Sequence, residues 1–201
     1  MITGPAGIGK TRVLRESLAA SGQPFVEIVA PATLHDLLVK LAKSLGCPAP
    51  GTTMHLKPLV LNALRADGRP VVLEDVGRVE PRMYRFLQEL YYVPDTCLIA
   101  TTRSRAQIGY LRRLLWDPRE ELALKPLTRQ DSLRLFEQAC HAFGGDAFDV
   151  AGFRPKVLEA ARGNPGQILG MCRLASQPRY RSGCQIKFAP LRIDLLTAFA
   201  R

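Results

Sequence analysis

The eight residues Gly4-Pro5-Ala6-Gly7-Ile8-Gly9-Lys10-Thr11 match the pattern G-x-x-x-x-G-K-[ST] at every fixed position. Glycines let the backbone N–H groups of such a loop turn inward around a phosphate, and the helix that follows points its positive end at the same anion. Lys10 is expected to reach the β- and γ-phosphates of ATP, and Thr11 to offer its hydroxyl to Mg²⁺. The predicted nucleotide-binding residues are Gly4, Pro5, Ala6, Gly7, Ile8, Gly9, Lys10, Thr11 and Arg12.

A loop of this kind normally follows a buried strand, and only Met1, Ile2 and Thr3 precede Gly4. Two explanations are open. Either the sheet tolerates a very short strand at this position, or the natural chain begins upstream.

The segment Val71-Val72-Leu73-Glu74-Asp75 is an apolar strand pattern that ends in two carboxylates, and it resembles a Walker B element. One carboxylate is expected to act on Mg²⁺ and the other to orient or deprotonate the attacking water. The commoner pattern places Asp first, so the sequence leaves open which of Glu74 and Asp75 has which role. Both are therefore candidates for catalysis and for the metal site.

A third strand pattern, Cys97 to Thr102, ends in hydroxyls and is followed by Arg103. We predict that Thr102 and Arg103 lie where a γ-phosphate can be sensed. Arg105, Arg112 and Arg113 follow in a predicted helix and are interpreted as solvated residues. The alternative is that one of them reaches the nucleotide of a neighbouring subunit.

The chain up to about residue 126 alternates short apolar runs with amphipathic segments, which predicts an α/β fold with a parallel sheet covered by helices on both faces. Strands are predicted at Phe25 to Ala30, Val71 to Asp75, Cys97 to Thr102 and Glu121 to Leu124. Helices are predicted at Lys10 to Ala20, Leu34 to Leu45, Leu59 to Ala66 and Arg82 to Tyr91.

From Thr128 onward the patterns are mainly helical, at Leu133 to Phe143, Pro155 to Ala161 and Gln167 to Ala175. Thr128 is a predicted N-cap, and Gly163-Asn164-Pro165-Gly166 a predicted turn into the last of these helices. We expect a nucleotide-binding domain over 1–126, a helical lid over 127–176 and a basic extension over 177–201. In the extension, Ile193, Leu195, Leu196 and Phe199 form a predicted packing stripe.

The net charge of +10 is distributed unevenly. Residues 1–100 hold 11 Lys and Arg against 9 acids, and residues 101–201 hold 17 against 9. This asymmetry suits a polyanion, so DNA is one expected partner of the basic half, and a protein or a second copy of the chain is another. Candidate phosphate contacts in the extension are Arg179, Arg181, Lys187, Arg192 and Arg201, with Tyr180 and Phe188 as candidate stacking residues.

Several classes are disfavoured by composition. Apolar runs fall far short of the roughly 18 residues of a membrane span, and no charged and apolar leader follows Met1. The five cysteines contain no C-x-x-C pair, which argues against a disulfide framework or a zinc site. We therefore expect a cytoplasmic protein without a membrane partner.

The order of these motifs resembles that of the AAA+ ATPases, in particular the signal-transduction ATPases with numerous domains, which include the NACHT and NB-ARC modules. The resemblance covers roughly residues 1 to 175. It is carried by Gly4 to Thr11, Val71 to Val76, Ile99 to Arg103, Leu124 to Leu127 with Leu135-Phe136, and Gly163-Asn164-Pro165. It implies a central loop-bearing strand, a helical lid that ATP binding and hydrolysis switch against the sheet, and Pro165 packed beside the adenine.

The stretch Leu34 to Leu45 with Gly46-Cys47-Pro48 is also similar to bacterial helper ATPases of transposition, which would account for the basic half. The sequence departs from many AAA+ lids after Gly163, where the predicted helix begins with Gln167 rather than with an arginine. The function favoured by these features is an ATP-hydrolysing molecular switch that acts on DNA or a protein. The alternatives are a nucleotide-binding module that assembles on DNA with little hydrolysis, and a P-loop small-molecule kinase.

Overall fold

The computed structural model describes residues 1–48, 50–115, 117–144 and 148–200, so Arg201 of the predicted basic extension lies outside the described residues. Within these ranges the chain divides into two units. The first contains Met1–Pro5 and Lys10–Leu124, and the second contains Ala6–Gly9 and the residues from Lys125 onward.

The first unit contains the sheet, its helices and three short 3-10 helices. Its strands are β1 (Ile2–Thr3), β2 (Val26–Val29), β3 (Val71–Glu74), β4 (Leu98–Thr102) and β5 (Leu122–Ala123). Its α-helices are α1 (Lys10–Ser21), α2 (Leu34–Ser44), α3 (Thr53–Asp67) and α4 (Pro81–Tyr91). The 3-10 helices are Arg105–Ile108, Tyr110–Arg113 and Pro118–Glu120.

The five strands form a parallel sheet in the order β2-β3-β4-β1-β5. Although β1 has two residues, it pairs on both sides: Ile2 lies opposite Thr101 of β4 and opposite Leu122 of β5. The expected α/β fold is therefore confirmed, and the sheet does accommodate a very short strand before the loop.

Alternate residues of β3 face opposite layers, as the two-residue period of a strand requires. Val71 and Leu73 belong to a large apolar core that α2, α3 and α4 cover, whereas Val72 packs with Leu14 and Leu18 of α1. Because both faces of β3 are covered, every residue of this strand is buried. The functional residues that follow β3 thus begin from a rigid position.

Two helices begin earlier than the sequence predicts, and each contains a proline near the predicted start. The predicted helix at Leu59 in fact begins at Thr53 and contains Pro58, and the helix predicted from Pro155 begins at Val150. Proline is favoured at the first position of a helix, but within the second turn it removes only one backbone hydrogen bond. The predicted helix over Arg112 and Arg113 is also wrong, since both lie in a 3-10 turn.

The second unit is mainly helical. It contains α5 (Arg129–Ala142), α6 (Val150–Ala161), α7 (Pro165–Ala175), a 3-10 helix (Pro178–Tyr180), the strands β6 (Arg181–Ser182) and β7 (Gln185–Ile186), and α8 (Phe188–Ala200). The two strands form an antiparallel pair. Thr128 caps α5 as predicted, because its hydroxyl accepts a hydrogen bond from the N–H of Asp131 at 3.1 Å.

Two residues of the basic extension are used for the fold of this unit. The Arg181 guanidinium donates to the carbonyls of Ala175 and Ser176, and Tyr180 donates to Asp194. In α8, Leu191 and Leu195 are buried, but Ile193 is 64% exposed. The predicted packing stripe of α8 is therefore only partly correct.

No described helix has the length and apolar character that crossing a membrane requires.

The core of the first unit should be sensitive to lost volume. Leu38 of α2 is fully buried, so Leu38→Ala removes transfer free energy and leaves a cavity. We expect the free energy of unfolding to fall by about 2 to 5 kcal/mol in a urea titration followed by circular dichroism. Met54→Ala, at a position 83% exposed, is the control and should change it by less than about 0.5 kcal/mol. Equal losses in both variants would contradict this packing.

Candidate functional site

The middle of the predicted phosphate loop is held by the second unit, to which Ala6–Gly9 belongs. The side-chain amide of Asn164 donates to the Ala6 carbonyl at 2.8 Å, and the N–H of Gly166 donates to the Gly7 carbonyl at 2.9 Å. Gly7 has a φ of 77°, and a Cβ placed there would lie 2.6 Å from the Phe199 ring. Glycine is thus required at this position for both its backbone angle and its missing side chain.

The Lys10 side chain folds back over the start of the loop. Its ammonium donates to the carbonyls of Gly4 at 2.8 Å and Pro5 at 3.1 Å. Burial lowers the pKa of Lys10, and the nearby Asp75 carboxylate partly offsets this effect. A phosphate oxygen offers a stronger, charge-assisted partner than either carbonyl.

The structure brings together Thr11 and Glu74, two of the residues predicted for the metal site. The Thr11 hydroxyl donates directly to the Glu74 carboxylate, although the two residues belong to α1 and β3. Glu74 is only 6% exposed, and the Arg15 guanidinium lies 3.8 Å from its second oxygen. A hydroxyl and a carboxylate side by side are the hard oxygen donors that Mg²⁺ prefers, so the residues present fit this ion.

Asp75 has a different environment from Glu74. Its side chain is 53% exposed, and its Oδ1 lies 4.0 Å from Nε of Arg103, which follows β4. Its φ is 50°, an unusual angle for a residue other than glycine, and its N–H donates to the Thr101 hydroxyl at 2.9 Å. Strained backbone of this kind is concentrated at functional sites.

The remaining predicted residues, Thr102, Arg12 and Pro165, lie in three different environments. The Thr102 hydroxyl is buried and donates to the Val76 carbonyl at 2.9 Å, so it fixes the segment after β3. Arg12 is exposed on α1 and bonds Glu16 at 2.8 Å. Pro165 is the first residue of α7, where Asn164 caps the helix by accepting from the N–H of Gln167 at 3.2 Å.

Sequence reasoning missed the roles of Thr101 and Asn164 in this site. The sequence Asn-Pro-Gly-Gln does indicate a helix N-cap, so the capping role of Asn164 could have been predicted. The bond from Asn164 to Ala6 joins residues 158 positions apart, and nothing local in the sequence encodes it.

A cavity of about 830 Å³ opens beside Asp75 in the first unit. We call it the arginine cavity, because four of its lining residues are arginines. It is lined by Asp75, Val76, Gly77, Arg78, Arg103, Ala106, Gln107, Gly109, Tyr110, Arg112 and Arg113.

Gly109 joins two of the segments that line the arginine cavity. It forms a bridge with Val79, and the N–H of Tyr110 donates to the Val79 carbonyl at 3.2 Å. Its φ is 58°, and a Cβ would lie 2.7 Å from the Val79 carbonyl oxygen. The turn that carries Arg112 and Arg113 is thereby fixed to the loop that carries Arg78.

The parallel sheet, the glycine loop before α1 and the acids that end β3 define the P-loop ATPase class of α/β domain. The family described as "AAA domain" matches residues 1–106, and the chain belongs to this family. No curated protein matches the sequence significantly.

Solved structures with the same fold share little sequence with the chain. The Aeropyrum pernix ORC1 protein in complex with DNA is 17% identical, with a TM-score of 0.57 over 98% of this chain and 58% of its own. A katanin structure, reported in connection with katanin self-assembly, is 15% identical, with a TM-score of 0.56 over 99% of this chain and 70% of its own. The chain thus spans little more than half of the ORC1 protein.

A signal-transduction ATPase with numerous domains from Pyrococcus horikoshii, which carries a tetratricopeptide repeat sensor, is 18% identical over 98% of this chain and 29% of its own, with a TM-score of 0.47.

A substitution at Gly109 tests the bridge between Gly109 and Val79. Gly109→Ala forces a side chain into a left-handed backbone and against the Val79 carbonyl, so we expect the free energy of unfolding to fall by about 1 to 3 kcal/mol. Gly77→Ala is the matched control, because a Cβ there meets nothing within 4 Å. Its stability should be unchanged or slightly raised in the same urea titration. A harmless Gly109→Ala would show that the bridge to Val79 does not form.

Proposed function

We propose that this chain binds ATP with Mg²⁺ and hydrolyses it, as a molecular switch that acts on a DNA or protein partner. The observation that carries the proposal is the pairing of Thr11 with Glu74 while the adjacent Asp75 stays exposed beside Arg103. Neighbouring acids with different surroundings suit separate roles, one at the metal and one at the attacking water.

The surroundings of the two acids support an assignment that the sequence left open. Glu74, buried and bonded to Thr11, is proposed to hold Mg²⁺ with that hydroxyl, either directly or through a water. When bound, Mg²⁺ neutralises phosphate charge and orients the γ-phosphoryl group. Asp75, exposed at the end of β3, is proposed to accept a proton from the attacking water.

The basic residues complete the proposed site. Lys10 exchanges the carbonyls of Gly4 and Pro5 for the β- and γ-phosphates, and Arg103 contacts the γ-phosphate. The backbone N–H groups of the loop Gly4 to Thr11 bind the phosphate chain. Pro165 stays a predicted contact of the adenine, and Arg12 and Thr102 stay predicted contacts of ATP or ADP.

The partner is proposed from charge and from similar folds. The net charge of +10 favours a polyanion. The ORC1 protein of similar fold is bound to DNA, and katanin of similar fold self-assembles. DNA is therefore the first partner to test, and a protein partner or a second copy of the chain is the next.

Nucleotide affinity should depend on Lys10. Lys10→Ala removes a charge-assisted contact to phosphate, so we expect ATP to bind about 10- to 100-fold more weakly in isothermal titration calorimetry. Lys43→Ala, an exposed lysine of α2, is the control and should bind ATP as the unaltered chain does. Equal affinity for ATP in both variants would show that the glycine loop does not bind its phosphates through Lys10.

Turnover should separate the two acids. Asp75→Asn keeps the shape of the residue but cannot accept the proton, so we expect ATP to bind normally while phosphate release falls by about 10²- to 10⁴-fold. Glu74→Gln should instead weaken the Mg²⁺ dependence of binding.

Asp95→Asn controls for backbone strain in the Asp75 variant, since Asp95 is also an exposed aspartate with a positive φ, of 61°. It should turn over ATP as the unaltered chain does. If Glu74→Gln retains metal-dependent binding and alone abolishes turnover, the two roles are reversed.

A further inference from the structure

The arginine cavity holds more positive charge than the proposed ATPase chemistry uses. Four arginines line it, and Asp75 is the single acid among the lining residues that the structure describes. Arg103 is paired with Asp75 at 4.0 Å. In the part of the chain that the structure describes, Arg78, Arg112 and Arg113 form no salt bridge, and all three are exposed.

Like charges that converge on one cavity repel each other, and a bound anion relieves this repulsion. We propose that the arginine cavity binds the phosphodiester backbone of a nucleic acid strand through Arg78, Arg112 and Arg113.

These arginines are mounted on a rigid support. Arg112 and Arg113 belong to the 3-10 turn Tyr110–Arg113, which is anchored below by Ile108 and Leu111, both fully buried. The Arg113 guanidinium lies over the Tyr110 ring at 4.9 Å, which holds it in place by a cation–π contact. Because the turn is ordered before a ligand arrives, less conformational entropy is lost on binding.

The dimensions and lining favour a strand over a small anion. A volume of about 830 Å³ is that of a site for a ligand of many atoms rather than for one phosphate ion. The arginines come from two separate segments, the loop after β3 and the 3-10 turn, so they can contact successive phosphates. Gln107 and Tyr110 add polar side chains of types that commonly contact the nucleic acid backbone.

The sequence had pointed instead to the basic C-terminal extension, with Arg179 and Arg181 as candidates. In the structure Arg181 donates to two carbonyls, and Arg179 lies over the Tyr180 ring at 4.5 Å and 3.8 Å from Asp194. The Arg181 guanidinium therefore serves the fold of the second unit, and the Arg179 guanidinium lies beside a carboxylate. Arg78, Arg112 and Arg113 have no carboxylate partner among the described residues, so they are the better phosphate contacts.

A consequence for ATP turnover rests on the proposed function. Arg103 shares the wall of the arginine cavity with Arg78, Arg112 and Arg113, and it holds Asp75. Phosphates bound by Arg78, Arg112 and Arg113 neutralise positive charge beside Asp75, which favours transfer of a proton from water to its carboxylate, while Arg103 stays available for the γ-phosphate. Nucleic acid should therefore raise ATP turnover.

The test is fluorescence anisotropy of a labelled oligothymidylate of about 20 nucleotides, a length that spans a typical single-strand site. A duplex of the same length is measured in parallel to distinguish a single strand from a duplex as the source of the backbone. The variant R78Q/R112Q/R113Q should bind the preferred probe at least about tenfold more weakly near 0.1 M salt. Arg78→Gln alone should weaken binding several-fold, and this keeps the test valid if the triple variant folds poorly.

The salt dependence gives a second readout. Each lost phosphate contact on a single strand reduces the slope of log affinity against log salt by about 0.7, so the triple variant should lose about 2. The matched control is R65Q/R129Q/R154Q, which removes the same charge from exposed positions outside the arginine cavity. Its affinity and slope should stay close to those of the unaltered chain.

Three results would overturn the proposal. The first is that the unaltered chain binds neither probe at low salt, and the second is that the control triple loses as much affinity as the cavity triple. The third is that the cavity triple binds both probes normally but loses ATP turnover in a manner that depends on protein concentration, which would assign these arginines to the nucleotide of a second copy.

The proposal on nucleic acid and the proposal on ATP fail separately. Probe binding is measured without nucleotide and also on Lys10→Ala, which should bind the probe as the unaltered chain does. Probe binding without hydrolysis would overturn only the ATPase proposal. Hydrolysis without probe binding would overturn only the nucleic acid proposal.

Discussion

A strand of two residues positions the chemistry of the first unit. Ile2 and Thr3 pair with β4 on one side and β5 on the other, and backbone bonds from Gly4 to the Thr102 carbonyl at 3.3 Å and from Leu124 to the Thr3 carbonyl at 2.9 Å extend this pairing. Strands that run parallel place their carboxyl ends at one edge of the sheet. For this reason Lys10 and Thr11 after β1, Glu74 and Asp75 at the end of β3, and Arg103 after β4 meet although they are far apart in sequence.

The reversed order of the two acids is compatible with the geometry of the site. The longer side chain, that of Glu74, points from a fully buried strand to Thr11. The shorter Asp75 side chain, on a strained backbone, turns toward solvent and Arg103. Position along the strand, rather than the identity of the acid, thus separates a buried carboxylate from an open one. Thr101 contributes to this separation by binding the N–H of Asp75.

Much of the fold could be predicted from the sequence, because its signals are local. The apolar runs of β2, β3 and β4, the helix after the glycine loop and the cap at Thr128 each depend on residues close in sequence. Prolines within α3 and α6 misled the helix starts, since local preference does not record that a second-turn proline can be tolerated. The arginine cavity depends on tertiary contacts between the loop after β3 and the turn Tyr110–Arg113, and no sequence pattern signals it.

Both ends of the Asn164 amide group are in use. Its oxygen caps α7, and its nitrogen binds the Ala6 carbonyl. A shortened chain that ends after β5 would keep every residue of the glycine loop but would lose the groups that hydrogen-bond to Ala6 and Gly7. The loop in such a fragment would have to order itself around each incoming anion, so the motif alone overstates what the isolated sheet can bind.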